Sequence, residues 1–216
     1  MRRWICVLGV MVAAGCATGS HEPAQAHRSG PELHRYVDSG WYERDLAAVA
    51  ARARTWVEQR AAKRTEGERL AIVFDIDETL LSNWTEIVQT DFVYVPAIWE
   101  VWEAEARAPA IGPVRDVYLA ARRLGVEVIL LTDRREHERA VTERGLRAGG
   151  YEDYAVLLLK PDASKETAAE FKSAQRRRLA GEGHVIIANI GDQDSDLAGG
   201  FAERTFKLPN PFYTTQ

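Results

Sequence analysis

The chain has 216 residues, of which 46% are hydrophobic and 28% are charged, and its formal net charge is -4. This length suits one domain with a core of ordinary depth and is short for two domains. Acidic residues outnumber basic ones and the sequence has no long basic face, so the composition argues against a nucleic-acid binder.

The first predicted element, residues 1–15, has the pattern of a bacterial lipoprotein signal peptide. Arg2 and Arg3 give its first residues a positive charge. The apolar run over residues 4–14 is too short to span a bilayer. The "AAGC" at its end resembles a lipobox, which implies that Cys16 is lipidated and anchors the protein to a membrane of the cell envelope. Ala17 is not the Asp that marks inner-membrane retention in enteric-type lipoproteins, which favours the outer membrane or periplasmic face. The alternative is a plain secretory signal that releases the protein into the periplasm.

The tether that is expected to follow this signal is short and polar. Residues 17–32 are rich in polar residues, Gly, Pro and Ser, and residues 16–38 are predicted to be the lipidated cysteine and a flexible tether. Cys6 and Cys16 are the only cysteines. After cleavage at Cys16 no thiol pair remains, so the sequence predicts no internal disulfide, thiol catalysis or cysteine metal site.

The folded domain is expected to span residues 39–216. Its first helix is predicted to begin near Trp41, with Asp38 or Ser39 as the cap, because apolar residues recur there with helical spacing. Four nearly continuous apolar runs then predict buried strands, and helical patterns separate them. The strands are 70–76, 126–131, 156–159 and 185–190, the helices are 112–124, 136–148 and 165–181, and a short fifth strand is 204–208. This alternation predicts an α/β fold: a doubly wound parallel sheet of about five strands with helices on both faces.

One insertion, residues 82–111, interrupts the alternation after the first strand and is predicted to form a small helical cap. Its aromatic residues are Trp84, Phe92, Tyr94, Trp99 and Trp102. In one interpretation these rings form the core of the cap. In the other, one or two of them face a substrate.

Polar residues collect at the carboxyl ends of the predicted strands, where open α/β sheets bind their ligands. They are Asp75, Asp77 and Thr79 after the first strand, Thr132, Asp133 and Arg134 after the second, and Asp192, Asp194 and Asp196 after the fourth. Lys172 lies early in the helix before the fourth strand and adds a cation. The topology predicts that these groups converge on one crevice, although more than a hundred residues separate the first from the last.

These motifs resemble the haloacid dehalogenase (HAD) superfamily, specifically its subclass IIIB acid phosphatases and their bacterial lipoprotein relatives. The resemblance extends from "SGWYERD" near residue 39 to "FKLPNPFY" near residue 213. The family motifs are matched in order by Asp75, Asp77 and Thr79 (DxDxT), by Thr132, by Lys172, and by Gly191, Asp192 and Asp196 (GDxxxD). Each motif alone is weak, but four in order at strand ends and helix starts are specific. Asp133 departs from the family, which more often has Gly or Asn at that position.

The resemblance implies a phosphatase that hydrolyses small phosphate monoesters through an aspartyl-phosphate. Phosphate monoesters are very inert in water, and a carboxylate nucleophile divides their hydrolysis into two easier steps. Asp75 is the expected nucleophile and a metal ligand, and Asp192 is the second carboxylate ligand. Asp77 is the expected acid and base, and the resemblance implies that its main-chain carbonyl also binds the metal. Mg²⁺ is the expected cofactor because it prefers oxygen ligands.

The remaining motif residues have supporting roles in this hypothesis. Thr132 and Lys172 hold the phosphoryl oxygens and offset the charge that develops on them. Lys172 is preferred to Lys160 and Lys165 because of its distance from Asp192 in the family pattern. Asp196 is expected to orient the water ligands of the metal. Stacking of a nucleobase on Trp84, Tyr94 or Trp99 would favour nucleoside monophosphates as substrates.

Several alternatives stand beside the phosphatase hypothesis. Counted from Asp75 or from Asp192, oxygen-bearing residues recur as in an EF-hand, but Leu80 and Leu197 replace the glycine at its sixth position and a strand replaces its helix. A non-catalytic storage protein on the same fold is a second alternative, although plant storage proteins that resemble this family lack the nucleophile. A phosphotransferase is a third, because an aspartyl-phosphate can pass to an alcohol. For single residues, Thr132 is alternatively a helix cap, and Arg176, Arg177 and Arg178 are predicted to form a solvated helix face.

Overall fold

The computed structural model describes residues 29–215. The predicted signal peptide, Cys16 and most of the tether lie outside these residues, so lipidation stays a prediction. The helices are α1 (Gly30–Asp38), α2 (Trp41–Ala61), α3 (Trp84–Gln89), α4 (Pro96–Glu105), α5 (Gly112–Arg123), α6 (Arg139–Ala148), α7 (Ala168–Gly181) and α8 (Asp194–Leu197). The strands are β1 (Arg69–Phe74), β2 (Glu127–Arg135), β3 (Val156–Lys160), β4 (His184–Gly191) and β5 (Thr205–Lys207). Within residues 29–215 we find no helix with the length and apolar character needed to cross a bilayer.

All five strands are parallel and lie in the order β3-β2-β1-β4-β5. The chain winds outward from β1 in one direction through β2 and β3, and in the other through β4 and β5. β1 and β4 are therefore neighbours at the point where the winding reverses, which is the place where open α/β sheets bind ligands. The predicted fold class is confirmed, including the helical cap (α3 and α4) inserted after β1.

Side chains of β1 alternate between two layers of the core, as strand geometry requires. Leu70, Ile72 and Phe74 pack in the cluster that contains the buried residues of α2 and α5. Ala71 and Val73 pack in the cluster that contains the buried residues of α7. Because helices cover both faces of the sheet, every residue of β1 after Arg69 is buried. This burial explains why the strand is a continuous apolar run in the sequence.

The start of the domain differs from the prediction. Residues 30–38, expected to belong to the tether, form α1, and its Leu33 and Tyr36 are buried in the core. Ser29 and Glu32 form a capping box at its beginning: the Glu32 carboxylate accepts a hydrogen bond of 2.8 Å from the Ser29 N–H. The cap of α2 is Gly40 rather than Asp38 or Ser39, because the chain turns there with a φ of 78°, a conformation that glycine adopts readily.

Candidate active site

A cavity of about 460 Å³ lies beyond the carboxyl ends of β1, β2 and β4. The ends of these strands form its floor, the cap forms one wall, and residues 212–215 contribute to its lining. The motif residues that line it are Asp75, Asp77, Thr132, Lys172, Asp192 and Asp196. A wider groove of about 1220 Å³ beside α2 and β5 contains none of them. The structure therefore brings residues of all four predicted motifs together at this edge of the sheet.

Lys172 lies between two of the carboxylates at the floor of the cavity. Its Nζ donates hydrogen bonds of 2.6 Å to Asp75 Oδ1 and 2.5 Å to Asp196 Oδ1, and all three residues are buried. Burial alone would lower the pKa of Lys172, but the charges of Asp196 and Asp75 outweigh it and raise the pKa above its usual range, so the lysine stays charged. The rival Lys160 lies elsewhere and pairs with Asp133 at 2.8 Å.

Asp192 completes an acidic cluster with Asp75 and Asp196. One carboxylate oxygen from each residue lies within 4.8 Å of the others. Burial, together with the charge of Asp196, raises the pKa of Asp75 and raises that of Asp192 to about 7. Lys172 thus contacts two of the three buried carboxylates in this cluster. A hard divalent cation fits this donor set, because it prefers oxygen ligands and its charge would offset that of the carboxylates.

The carboxylate of Asp192 is held by neutral groups from three parts of the chain. The Thr79 hydroxyl donates to Oδ1 at 3.1 Å, and the side-chain amides of Asn210 and Gln193 donate to Oδ2 at 2.8 and 2.5 Å. Thr79 therefore has a structural role, since it helps to hold the Asp192 carboxylate in place. Asn210 was not identified from the sequence, because it lies 18 residues from Asp192, beyond α8 and β5.

Asp77 is held by Arg134, a strand-end residue that the sequence placed at the crevice without a role. Arg134 donates to Asp77 Oδ1 at 2.6 Å and to Oδ2 at 2.8 Å, and the Asn83 side chain donates to Oδ1 at 2.9 Å. Burial alone would raise the pKa of Asp77, but the charge and hydrogen bonds of Arg134 lower it. Arg134 also lies 3.5 Å from Glu103 of α4, so the same guanidinium connects the sheet to the cap.

Glu78 lies between Asp77 and Thr79 in the sequence and is buried. Its φ is 52°, an uncommon conformation for a residue other than glycine. Its carboxylate accepts hydrogen bonds from the Asn83 N–H at 2.6 Å and from the Tyr213 hydroxyl. Burial, followed by the charge of Asp77, raises the pKa of Glu78 to about 7. Glu78 thus fastens the segment near Tyr213 to the loop that carries the aspartates.

Thr132 is buried in β2 and is not the cap of a helix, since the strand continues to Arg135. Its Oγ1 accepts a hydrogen bond of 3.2 Å from the Arg134 N–H. Asp133, which departs from the family pattern, pairs with Lys160, and Asp194 pairs with Lys207 at the surface. Neither acid belongs to the buried cluster.

The prediction of a solvated arginine face on α7 is wrong for Arg176, which is 0% exposed. Its guanidinium donates to the main-chain oxygens of Asp196 at 2.6 Å, Gly200 at 3.0 Å and Ala198. It thereby satisfies buried carbonyls of the loop after β4. Arg176 supports the backbone of Asp196 rather than contacting solvent.

The aromatic residues of the cap divide between core and cavity. Trp84 packs against Phe212, with ring centroids 4.9 Å apart, and does not line the cavity. Phe92, Tyr94 and Trp99 line it. Tyr94 is 69% exposed, and its ring centroid lies 5.8 Å from that of Trp99 at the mouth. Phe92, Tyr94 and Trp99 are therefore in a position to meet a ligand, and their contact with a substrate stays a prediction.

Comparison with known proteins places this site in a family. The family model described as "HAD superfamily, subfamily IIIB (Acid phosphatase)" matches residues 20–216. Acid phosphatase 1 of Solanum lycopersicum is 39% identical over 146 residues, which cover 65% of this chain and 57% of the relative. Vegetative storage protein 1 of Arabidopsis thaliana is 36% identical over 145 residues, which cover 65% of this chain and 54% of the relative. The chain thus spans little more than half the length of these plant relatives.

A solved structure has the same fold. The class C acid phosphatase from Bacillus anthracis superposes with a TM-score of 0.69 at 24% identity, and 86% of each chain is covered. At this identity the likeness supports the fold, and the family model supports the assignment of the motifs to one family. The chain belongs to the HAD superfamily, in its subfamily IIIB of acid phosphatases.

Proposed function

We propose that the protein hydrolyses small phosphate monoesters through an aspartyl-phosphate on Asp75. The observation that carries the proposal is the placement of the buried Asp75 carboxylate beside the charged Lys172 and within one acidic cluster with Asp192. A buried carboxylate at a ligand-binding strand end, with a cation beside it, suits a nucleophile that must approach an anionic phosphoryl group. The charged site, the cavity above it and the family membership support the same activity.

The acidic cluster is where a divalent cation of the Mg²⁺ type would bind. Asp75 and Asp192 would hold it through carboxylate oxygens, and the main-chain carbonyl of Asp77 is the proposed third protein ligand. When bound, the cation offsets the negative charge of the phosphoryl group and of the carboxylates around it. Asp196 has both oxygens engaged, by Lys172 and by the Gln193 N–H at 2.8 Å, which supports a role outside the direct ligands.

In the proposed first step, an oxygen of Asp75 attacks phosphorus and the bond to the alcohol oxygen breaks. Lys172 and Thr132 hold the phosphoryl oxygens, and Asp77 gives a proton to the departing alcohol. In the second step a water attacks the phosphoryl group, Asp77 takes its proton, and the Asp75 carboxylate is released. Arg134 favours the ionised form of Asp77, which suits the second step. The first step requires a protonated Asp77 beside the same guanidinium.

The proposal is tested with a panel of phosphomonoesters and a phosphodiester, each assayed with Mg²⁺. We expect turnover of several monoesters and none of the diester, because the diester offers one fewer free phosphoryl oxygen to Lys172 and the cation. Absence of monoester turnover from acid to neutral pH would refute the proposal. An added alcohol acceptor in the same assay measures phosphotransfer, the alternative fate of an aspartyl-phosphate.

A non-catalytic storage role is the competing candidate, because vegetative storage proteins are among the relatives. The full set of Asp75, Asp77, Lys172 and Asp192 is present and converges on one cavity. A storage role explains neither the convergence nor the burial of these charges, and burying charged groups carries a desolvation cost that such a role does not require.

The rings at the mouth of the cavity support a prediction about aromatic leaving groups. Tyr94→Ala and Trp99→Ala are each expected to lower kcat/KM for a nucleoside monophosphate about tenfold, since stacking of a base contributes ~1–3 kcal/mol. Turnover of glycerol phosphate is expected to change little. Trp41→Ala, which removes an exposed ring on α2, is the control. Equal loss for both substrates would show that the rings do not stack on the leaving group.

A further inference from the structure

The cap gives the active-site cavity a set of apolar lining residues, which we call the cap wall. The cap wall consists of Ile87, Phe92, Val93, Tyr94, Val95 and Trp99. Three of these residues are also open to solvent: Val93 is 59% exposed, Tyr94 69% and Val95 36%. Apolar surface that lines a cavity and is in contact with water is stabilised when an apolar ligand covers it.

Contacts around Asp77 place the cap wall on the side of the leaving group. Asp77 is the proposed acid for the departing alcohol, so the alcohol oxygen must lie within reach of its carboxylate. Arg134 holds that carboxylate, and Glu103 Oε1 lies 3.5 Å from Arg134. The same Glu103 oxygen accepts a hydrogen bond of 3.1 Å from the indole N–H of Trp99. Trp99 of the cap wall is thus connected to the proton donor through two side chains.

The charged groups that line the cavity do not suit a second anion on the substrate. Among the described residues of the lining, Lys172 and Arg134 are the only basic ones. Both are already paired, and their partners are Asp75, Asp77, Glu103 and Asp196. The charged residues that the cap adds to the lining, Glu86 and Glu103, are acids. A leaving group that carried a carboxylate or a second phosphate would therefore meet acids and no unpaired lining cation.

We propose that the cap wall binds an uncharged, apolar leaving group, so that phosphate monoesters of apolar alcohols are the preferred substrate class. The inference rests on the proposed phosphatase function and adds the chemistry of the leaving group. An alkyl chain that covers Val93, Tyr94 and Val95 removes apolar surface from water on both sides of the contact. A chain of the same length that ends in an anion would lose hydration of its charge without gaining a partner.

The first test uses straight-chain alkyl phosphates from ethyl to octyl, with the wild-type protein and Mg²⁺. The alcohols of this series have nearly equal acidity, so chain length varies burial and not the chemistry of the departing oxygen. We expect kcat/KM to rise about two- to fourfold per methylene while the chain covers the cap wall, because full burial of a methylene corresponds to about fourfold. An ω-carboxyalkyl phosphate of equal length should have a kcat/KM at least about tenfold lower than the alkyl phosphate.

The second test changes the cap wall and uses a matched pair of double variants. The first variant combines Val93→Ser with Val95→Ser. The second combines Ile98→Ser with Val101→Ser; these residues are 45% and 57% exposed on the same cap but do not line the cavity. We expect the first variant to lose about fivefold in kcat/KM for octyl phosphate and less than about twofold for ethyl phosphate. The second variant should keep the chain-length dependence of the wild type.

The outcomes separate the inference from the function on which it rests. A kcat/KM that is independent of chain length, or equal for plain and carboxylated chains, would overturn the inference. Equal losses in the two double variants would also overturn it, because the preference would then come from the exposed surface of the cap and not from the cavity. Absence of turnover of every phosphate would refute the proposed function instead. Inhibition constants of alkyl phosphonates for the wild-type protein repeat the chain-length comparison from binding alone, so that this comparison does not depend on the folding of a variant.

Discussion

Asp75→Asn is expected to lower phosphatase turnover by at least ~10⁴-fold, the magnitude typical of losing a nucleophile that works with neighbouring groups. An amide oxygen is a poor nucleophile and cannot form the acyl phosphate. The variant should remain folded, because Lys172 keeps its 2.5 Å contact with Asp196 and one of three crowded carboxylates loses its charge. The measurement is steady-state turnover of a simple aryl phosphate, together with the melting temperature of the variant.

A matched control is available at the start of α8. Asp194 is an acid close in sequence to Asp192, but it lies at the surface and pairs with Lys207. Asp194→Asn should therefore retain turnover within a few-fold of wild type. Rapid quenching of the wild-type reaction should trap a phosphorylated protein that is absent in Asp75→Asn. Near-normal turnover in Asp75→Asn would exclude Asp75 as the nucleophile.

Removal of divalent cations is the second large effect that we expect. Chelation with EDTA should lower turnover below ~1% of its value, because charge stabilisation by a metal contributes several kcal/mol to such reactions. Added Mg²⁺ should restore it. Mg²⁺ should also raise the melting temperature in the absence of any substrate, since a ligand that binds the folded state stabilises it.

The role of Asp192 as a metal ligand is tested with the variant Asp192→Asn. We expect at least a ~10-fold higher Mg²⁺ concentration at half-maximal activity, and a smaller Mg²⁺-induced rise in melting temperature, because one proposed ligand loses its charge. Asp194→Asn should leave both quantities unchanged. Turnover that is insensitive to EDTA, or identical Mg²⁺ responses in both variants, would contradict the assignment of the acidic cluster as a metal site.

The sheet was predictable from the sequence because its strands are buried on both faces. Continuous apolar runs survive in such strands, and the polar residue that follows each run marks its end. The site followed from the same logic, since carboxyl ends of parallel strands meet at one edge. The boundaries of β2 were less clear, because it continues through the polar residues Thr132, Asp133 and Arg134 to Arg135.

Partners that are distant in sequence were not predictable. Arg134 binds Asp77 across 57 positions, and Arg176 binds carbonyl oxygens after β4 that are 20 to 24 positions away. Helical spacing places Arg176 on the same stripe of α7 as the buried Lys172 and Leu179, apart from Arg177 and Arg178. The charge of Arg176 argued for solvent exposure, but the main-chain oxygens that accept from it lie elsewhere in the sequence.

α1 was missed for a different reason. The polar composition of the residues before Leu33 suggested a tether, while a local signal pointed to a helix. Ser29 and Glu32 have the spacing of a capping box, and Leu33 and Tyr36 lie three positions apart. Weighting that pattern above average composition would have moved the predicted start of the domain from residue 39 to about residue 29.

The contacts of Asn210 and Tyr213 have a consequence for how the protein matures. Asn210 holds Asp192, and Tyr213 holds Glu78 in the loop between Asp77 and Thr79. A chain in which residues 210–213 have not yet packed lacks both contacts, even if its central strands have already paired. The proposed active site is therefore expected to be complete only after this segment has packed against the loops that carry Asp192 and Glu78.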